Sequence, residues 1–289
     1  MTNIDREFED LDTAFRGLAG TPLLFVPNYG NIGDALIAAA TYQAFDKHDI
    51  KFLLPSQQTE GLGDLIYGGG GNLTGRYPEA RKKIAQAKKD GMRVTILPHT
   101  IRNESMVINR LDNDDRIFCR DLNSLRWAGG RACSNVFLAP DMAFYLSAEQ
   151  VFSERSAILE NSSVDLLAQY DLISEIVNEY RAQTSGRVAY FLRRDGERKY
   201  GSINRVPSLD PSNLVIANWE PDEVFLFTLF LLETCSDWDL VITDRLHIAI
   251  ACSLLNRPAM LLDNSYGKNA SMMMTWHKLM PTVMMMQEI

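Results

Sequence analysis

Cysteine is scarce in this chain, with four among 289 residues, and Cys119, Cys133, Cys235 and Cys252 form neither a CxxC pair nor a set with metal-ligand spacing. A disulfide framework and a bound metal are therefore not expected, and a reducing cytoplasm fits best. A basic surplus is also missing. The 29 Lys and Arg stand against 37 Asp and Glu, a formal charge of −8, whereas a nucleic-acid surface needs a dominant basic field to release counterions from phosphates. Nucleic acid is thus not a partner, and any anionic substrate must be held by a local basic cluster. Long apolar runs are lacking too. The most apolar stretch, Val224 to Leu232, falls far short of the roughly 20 residues that span a bilayer and reads as a buried helix. The polar, acidic start (Met-Thr-Asn-Ile-Asp-Arg-Glu) is the opposite of a secretory signal, so export is not expected.

What is present is ordinary globular composition, 46% hydrophobic and 23% charged, in a chain long enough for two cores. After an acidic leader with helical character, an apolar strand over 23–27 turns through Asn28 to Gly33 into a helix over 34–48. Strands over 65–67, 94–97, 116–119 and 135–138 alternate with helices over 78–90, 105–111 and 122–127. A polar stretch with helical periodicity, 163–181, interrupts this order. Strands over 188–192, 240–243 and 259–262 then alternate with helices over 223–235 and 246–255. The alternation implies an α/β chain with mainly parallel sheets. The expected division is a Rossmann-like lobe over 1–150, a helical connection over 151–186 and a second such lobe over 187–289.

In sheets of this kind ligands lie beyond the carboxyl ends of the strands, which directs attention to residues just after them. The clearest corner is Leu240-Val-Ile-Thr-Asp244-Arg245-Leu-His247. There a strand meets a helix N-terminus whose N–H groups favour an anion. Arg245 supplies a planar fork for carboxylate or phosphate, and His247 can donate to an anion or move a proton. An Asp cap, an Arg salt bridge and a buried His would give the same string. Favouring a ligand is the rarity of buried charged groups without partners.

Arg193 and Arg194 leave another strand and suit an acidic ligand, although a solvated strand end would look the same. In Tyr67-Gly68-Gly69-Gly70-Gly71-Asn72 the glycines allow close backbone approach. Neither glycine register gives GxGxxG, because Leu73 or Thr74 takes the last place. A Walker reading of Gly70 to Gly75 fails because Arg76-Tyr77 replaces Lys-Ser/Thr. Asn31 and Asp34 open the first helix, where Asp34 also fits a plain dipole-complementing role. His99, Arg120 and Asp141 follow strands, and Lys268 follows the last one. The methionines at 272–274 and 284–286 read as a packed terminal segment.

Together these segments resemble the polysaccharide pyruvyltransferase family, whose members include enzymes that place pyruvate ketals on bacterial exopolysaccharides. The resemblance rests on the order of Asn28-Tyr-Gly-Asn31-Ile-Gly-Asp34, Gly68 to Asn72, Arg120-Asp-Leu-Asn-Ser124, Ala139-Pro-Asp141, Asp244-Arg245-Leu-His247 and Tyr266-Gly-Lys268. It implies two Rossmann-like lobes facing a cleft, as in GT-B glycosyltransferases, with phosphoenolpyruvate as donor, a sugar as acceptor and no cofactor. Arg245, His247, Lys268 and Arg120 would hold the donor, while Asn31 and the glycine-rich segment Gly70, Gly71 and Asn72 would line the cleft. His247 is the first choice for proton transfer and Asp34 the second. Arg193, Arg194, Asp244, His99 and Asp141 complete the expected substrate-binding set. His99 departs from the glutamine expected in many relatives. A lipid-linked oligosaccharide acceptor would bring the enzyme to the inner face of the membrane; nothing in the sequence specifies an oligomeric state. Two rivals share these features: a GT-B glycosyltransferase using a nucleotide-sugar, and an inactive carbohydrate-binding relative.

Overall fold

The computed structural model describes residues 11–57, 59–75, 77–129, 135–184, 187–199, 206–215 and 220–286. The first ten residues of the acidic leader, Arg76, Cys133 and the end of the expected connection at Gly186 lie outside them. Two compact units emerge, Met1–Asn28 with Thr41–Tyr145, and Tyr29–Ala40 with Leu146–Ile289.

The first unit holds strands β1 (Leu23–Val26), β2 (Phe52–Leu53), β3 (Asp64–Tyr67), β4 (Gly70–Leu73), β5 (Arg93–Ile101), β6 (Arg116–Cys119) and β7 (Val136–Leu138). All pair in parallel in the order β2-β1-β3-β5-β6-β7, with β4 added beside β5. Helix α1 (Ile32–Lys47) follows β1, and α2 (Pro78–Lys89), α3 (Ser105–Ile108) and α4 (Leu122–Gly129) link later strands. Alternation of buried strands with half-buried helices builds a core from Leu65, Ile84, Val94, Ile96, Ile101 and Ile117. A second cluster of rings, Phe15, Phe25, Tyr42, Phe45 and Phe52, packs edge-to-face and stacked. The chain leaves β1 in one direction to β2 and returns on its other side to β3, so the order reverses between β1 and β3. That reversal is where a parallel sheet opens a crevice at its carboxyl edge.

Two strands here depart from the sequence reading. Pro98 suggests an end at Leu97, since proline cannot donate to a ladder, yet β5 runs on to Ile101 across a register shift between Ile96 and His99. The glycine-rich segment is likewise not all loop, because Gly70–Leu73 pairs with the extended half of β5.

The second unit holds β8 (Val188–Phe191), β9 (Leu240–Thr243), β10 (Ala259–Leu262) and β11 (Val283–Met286), parallel in the order β11-β10-β9-β8. Its helices are α5 (Ala148–Ser153), α6 (Arg155–Asn161), α7 (Val164–Gln183), α8 (Pro221–Ser236), α9 (Leu246–Leu254) and α10 (Lys268–Trp276). Helix α8 is apolar nearly all round and buries Val224, Phe227, Leu231 and Leu232, as a helix enclosed by others must. Helix α7 belongs to this unit's core instead of forming a separate connection. Its Tyr180 hydroxyl accepts from the Tyr190 N–H at 2.8 Å, and its ring lies against Phe191 and Trp238. Residues 29–40 also belong here, although the sequence reading places them in the first lobe. Of the methionines read as a packed terminal segment, Met272 and Met273 are buried on α10 while Met274 is exposed, and Met284–Met286 lie in β11 paired with β10, where Met284 and Met285 are exposed. Among the described residues no helix is long and apolar enough to cross a membrane.

Candidate active site

In the first unit, residues just after β1, β3, β6 and β7 converge with residues inside β4 and the far half of β5. Asn28 donates its amide to the carbonyls of Gly68 and Gly69, tying the ends of β1 and β3 together where the strand order reverses. Asn72 donates to Asn28 Oδ1 at 2.8 Å and to the Tyr67 hydroxyl at 2.9 Å, and His99 Nε2 sits 2.8 Å from Asn72 Oδ1. Gly68 is needed because a Cβ there would meet the backbone of Pro27 and Asn28 at 3.0 and 3.1 Å. Gly70, with φ at 141°, holds a conformation that L side chains rarely adopt.

Behind them Arg120 is 1% exposed. Its Nη1 donates to Asp141 Oδ2 at 2.5 Å and its Nε to Thr100 Oγ1 at 2.9 Å. Thr100 donates to Asp121, which also accepts from the Ser124 N–H and hydroxyl and so caps α4. A Cβ on Gly71 would lie 2.9 Å from Arg120 Nη2, so the glycine leaves room for the guanidinium. Of the eleven residues that the sequence reading names as substrate-binding, six (Gly70, Gly71, Asn72, His99, Arg120 and Asp141) lie in this unit, and the fold brings those six together. Two of the six are wholly buried: His99 and Asp141 have no exposed surface. They support the site from behind.

The second unit gathers the cations. Arg193, Asp244 and Arg245 are each at most 5% exposed at the carboxyl ends of β8 and β9. Arg245 donates through Nε to Asp210 Oδ1 at 3.0 Å and through Nη2 to Asp210 Oδ2 at 2.6 Å, and Nη2 also reaches Asp195 at 3.0 Å. Arg193 grips Asp195 with two bonds, 2.9 and 3.2 Å, and Glu197 at 2.6 Å. Glu197 in turn faces Lys268 at 4.0 Å and accepts from the Tyr266 hydroxyl at 3.3 Å. Lys268 begins α10 after Gly267, whose φ of 76° is the left-handed conformation that glycine adopts freely. Arg194 is set apart: its guanidinium donates to the Ser208 carbonyl at an exposed position, and only its backbone N–H joins the cluster, on Asp210.

The electrostatics are balanced inside the unit. Burial works to raise the Asp195 carboxyl, but its bonds with Arg193 and the charge of Arg245 hold it below the ordinary range. Burial pushes Asp244 up, against its bond from the Arg193 N–H. The guanidinium of Arg193 is held above its usual range by Asp195 and Glu197 although burial opposes this. For both Arg193 and Arg245, the bonds named leave Nη1 without a hydrogen-bond partner among the described residues.

The opening of α1 lies in this same unit. Asn31 is the helix cap: its Oδ1 accepts from the Gly33 N–H at 2.9 Å, and Asp34 Oδ2 accepts from the Asn31 N–H at 3.0 Å, a reciprocal capping box. Asp34 therefore has a structural task. A Cβ on Gly33 would lie 2.4 Å from His247 Nδ1 and 2.9 Å from His247 Cβ, so the imidazole of α9 packs directly on the α1 backbone. Sequence reasoning missed Asp210, Asp195 and Glu197, the counterions of the arginines, and Asn28, which ties two strand ends. Asp210 gives a local signal in Asp210-Pro211, a turn opening; Asn28 stands directly after an apolar strand. Among the described residues no group of three or more His, Cys, Asp or Glu is arranged to hold a metal ion.

Residues 31–266 match the family model described as "Polysaccharide pyruvyl transferase". The chain belongs to this family. Membership makes it a transferase that passes a pyruvyl group to a polysaccharide. Among similar proteins, the Bacillus subtilis (strain 168) protein named "Putative pyruvyl transferase EpsO" is 26% identical over 90% of this chain and 86% of its own length. General stress protein 30 of the same organism is 24% identical, over 84% of this chain and 73% of that protein. A crystal structure of a functionally uncharacterized protein from Klebsiella pneumoniae subsp. pneumoniae NTUH-K2044 covers 99% of this pyruvyl transferase, with a TM-score of 0.70 at 26% identity. Both the cap Asn31 and Tyr266 beside Lys268 fall within the family match.

Proposed function

We propose that this pyruvyl transferase takes its pyruvyl group from phosphoenolpyruvate and sets it as a ketal on a sugar of an exopolysaccharide or its precursor. The observation that carries the reading is the group Arg193, Arg245 and Lys268, gathered at the strand ends of one unit beside Asp195, Glu197 and Asp210. Phosphoenolpyruvate is a small anion with a carboxylate and a phosphate close together. It suits two guanidinium forks and an ammonium better than a neutral sugar would. The glycine-rich segment of the first unit serves the acceptor sugar.

In this reading Arg245 and Arg193 bind the donor through Nη1, and Lys268 neutralises phosphate. His247, half-buried on the first turn of α9, delivers a proton to the methylene carbon. The adjacent carbon becomes electrophilic and one sugar hydroxyl adds to it, losing its proton to a base. The phosphate–carbon bond then breaks, and a second hydroxyl of the same sugar adds and loses its proton. The products are the ketal and inorganic phosphate. A thermal-shift series with phosphoenolpyruvate, inorganic phosphate and nucleotide-sugars tests the donor, since a ligand of the native state raises the melting temperature by mass action. A shift with phosphoenolpyruvate is expected. A response to nucleotide-sugars alone would turn the assignment toward glycosyl transfer.

A further inference from the structure

In the first unit, hydrogen bonding determines the protonation of His99 without reference to any ligand. Asn28 faces two backbone carbonyls, which can only accept, so the atom pointing at them is its amide nitrogen. Its Oδ1 must then accept from Asn72 Nδ2, and this orients Asn72, whose second amide hydrogen goes to the Tyr67 hydroxyl. The Asn72 oxygen is left facing His99 Nε2 at 2.8 Å, and an oxygen there requires an N–H. His99 Nδ1 is buried and has no hydrogen-bond partner among the described residues.

We propose that His99 is a positioning residue locked as the Nε2–H tautomer, which through Asn72 and Asn28 holds the glycine-rich segment Gly68 to Gly71 in its working conformation. The inference rests on the reading that this segment serves the transfer, but the lock can be tested without any donor. Two further observations agree with it. Gly70 pairs with His99 in the β4–β5 ladder, so the ring leaves the sheet directly beside the segment it stabilises. Burial, with the charge of Arg120, drives the imidazole pKa down to about 3, while Asp141 and the Leu97 carbonyl act in the opposite direction. That carbonyl would draw a proton to Nδ1, but it does not stand in hydrogen-bond geometry to it. His99 is therefore a neutral donor across the physiological range and takes no part in proton transfer.

The test is nitrogen-15 NMR of the histidine rings in the intact protein, with His99 assigned by its loss in His99→Gln. The expected result is a protonated Nε2, a bare Nδ1 and no titration between about pH 5.5 and 8, the range in which an ordinary histidine changes charge. In His99→Leu the side-chain amide hydrogens of Asn72 should exchange faster with solvent. Phosphate release from phosphoenolpyruvate should fall by about tenfold in kcat/KM, the equivalent of one lost hydrogen bond to a buried group. His99→Gln can still donate to Asn72 and should recover both readouts. An Nδ1–H tautomer, titration within that range, or Asn72 protection unchanged in His99→Leu would overturn the lock. If the wild type releases no phosphate from phosphoenolpyruvate, the donor assignment fails while the ring and amide measurements still decide the lock.

Discussion

Asp195 is the most exposed member of the cation cluster, at 36%, yet it bridges Arg193 and Arg245. Its carboxylate competes for the charge of the same two guanidinium groups that the proposed donor would meet at Nη1. Removing its charge should therefore favour an external anion. Two unit charges about 4 Å apart interact by about 4 kcal/mol at a protein surface and about 1 kcal/mol in bulk water. Exposure of more than a third places Asp195 toward the lower figure. Asp195→Asn keeps the shape and a hydrogen-bond acceptor, so a gain of about 1 kcal/mol is expected, roughly a fivefold drop in the Kd for inorganic phosphate. Isothermal titration at fixed ionic strength measures it directly. Phosphate bound equally or more weakly by the variant would refute the reasoning and make Asp195 an aligner of the arginines.

Three other outcomes follow from the geometry. Gly33→Ala should displace the His247 ring and lower kcat at a stability cost of about 1–3 kcal/mol, read by steady-state kinetics beside denaturant unfolding. The folded-state carboxyl of Asp244 is raised, so its contribution to stability is present at low pH and lost as pH rises through the folded value. Asp244→Asn should accordingly be neutral or stabilising at pH 7, its advantage shrinking on acidification in melting curves. Arg120→Met takes the cation away from the buried Asp141 carboxylate, which keeps its bond from the Ala143 N–H, and should cost about 3–5 kcal/mol, partly recovered when Asp141→Asn is added.

Much of this was legible from sequence periodicity, because parallel strands buried on both faces read as short apolar runs and their carboxyl ends announce themselves by polar residues. Asp244, Arg245 and Arg193 were found that way. Strand β4 was not, since Gly70-Gly71-Asn72 has no strand propensity and pairs only because β5 continues past Pro98. The counterion Asp210 was equally hidden. It lies 35 residues from Arg245 in a segment with no periodic signal, and only the tertiary fold joins them. Asp34 reads both as second choice for proton transfer and as a helix-opening acid, and its bond to the Asn31 N–H gives it the capping task. Residues 29–40 group with the second unit, where the His247 side chain packs on Gly33, a long-range contact that no pattern encodes.

The most direct test of the donor and product follows phosphoenolpyruvate labelled with carbon-13 at its central carbon, incubated with the enzyme and polymeric or lipid-linked saccharide from an exopolysaccharide-producing cell. Carbon-13 NMR should show the label moving into a ketal carbon on the saccharide, with one inorganic phosphate released for each ketal formed and no turnover by Arg245→Leu. Label remaining in phosphoenolpyruvate with every such acceptor, while a nucleotide-sugar is consumed instead, would contradict the account.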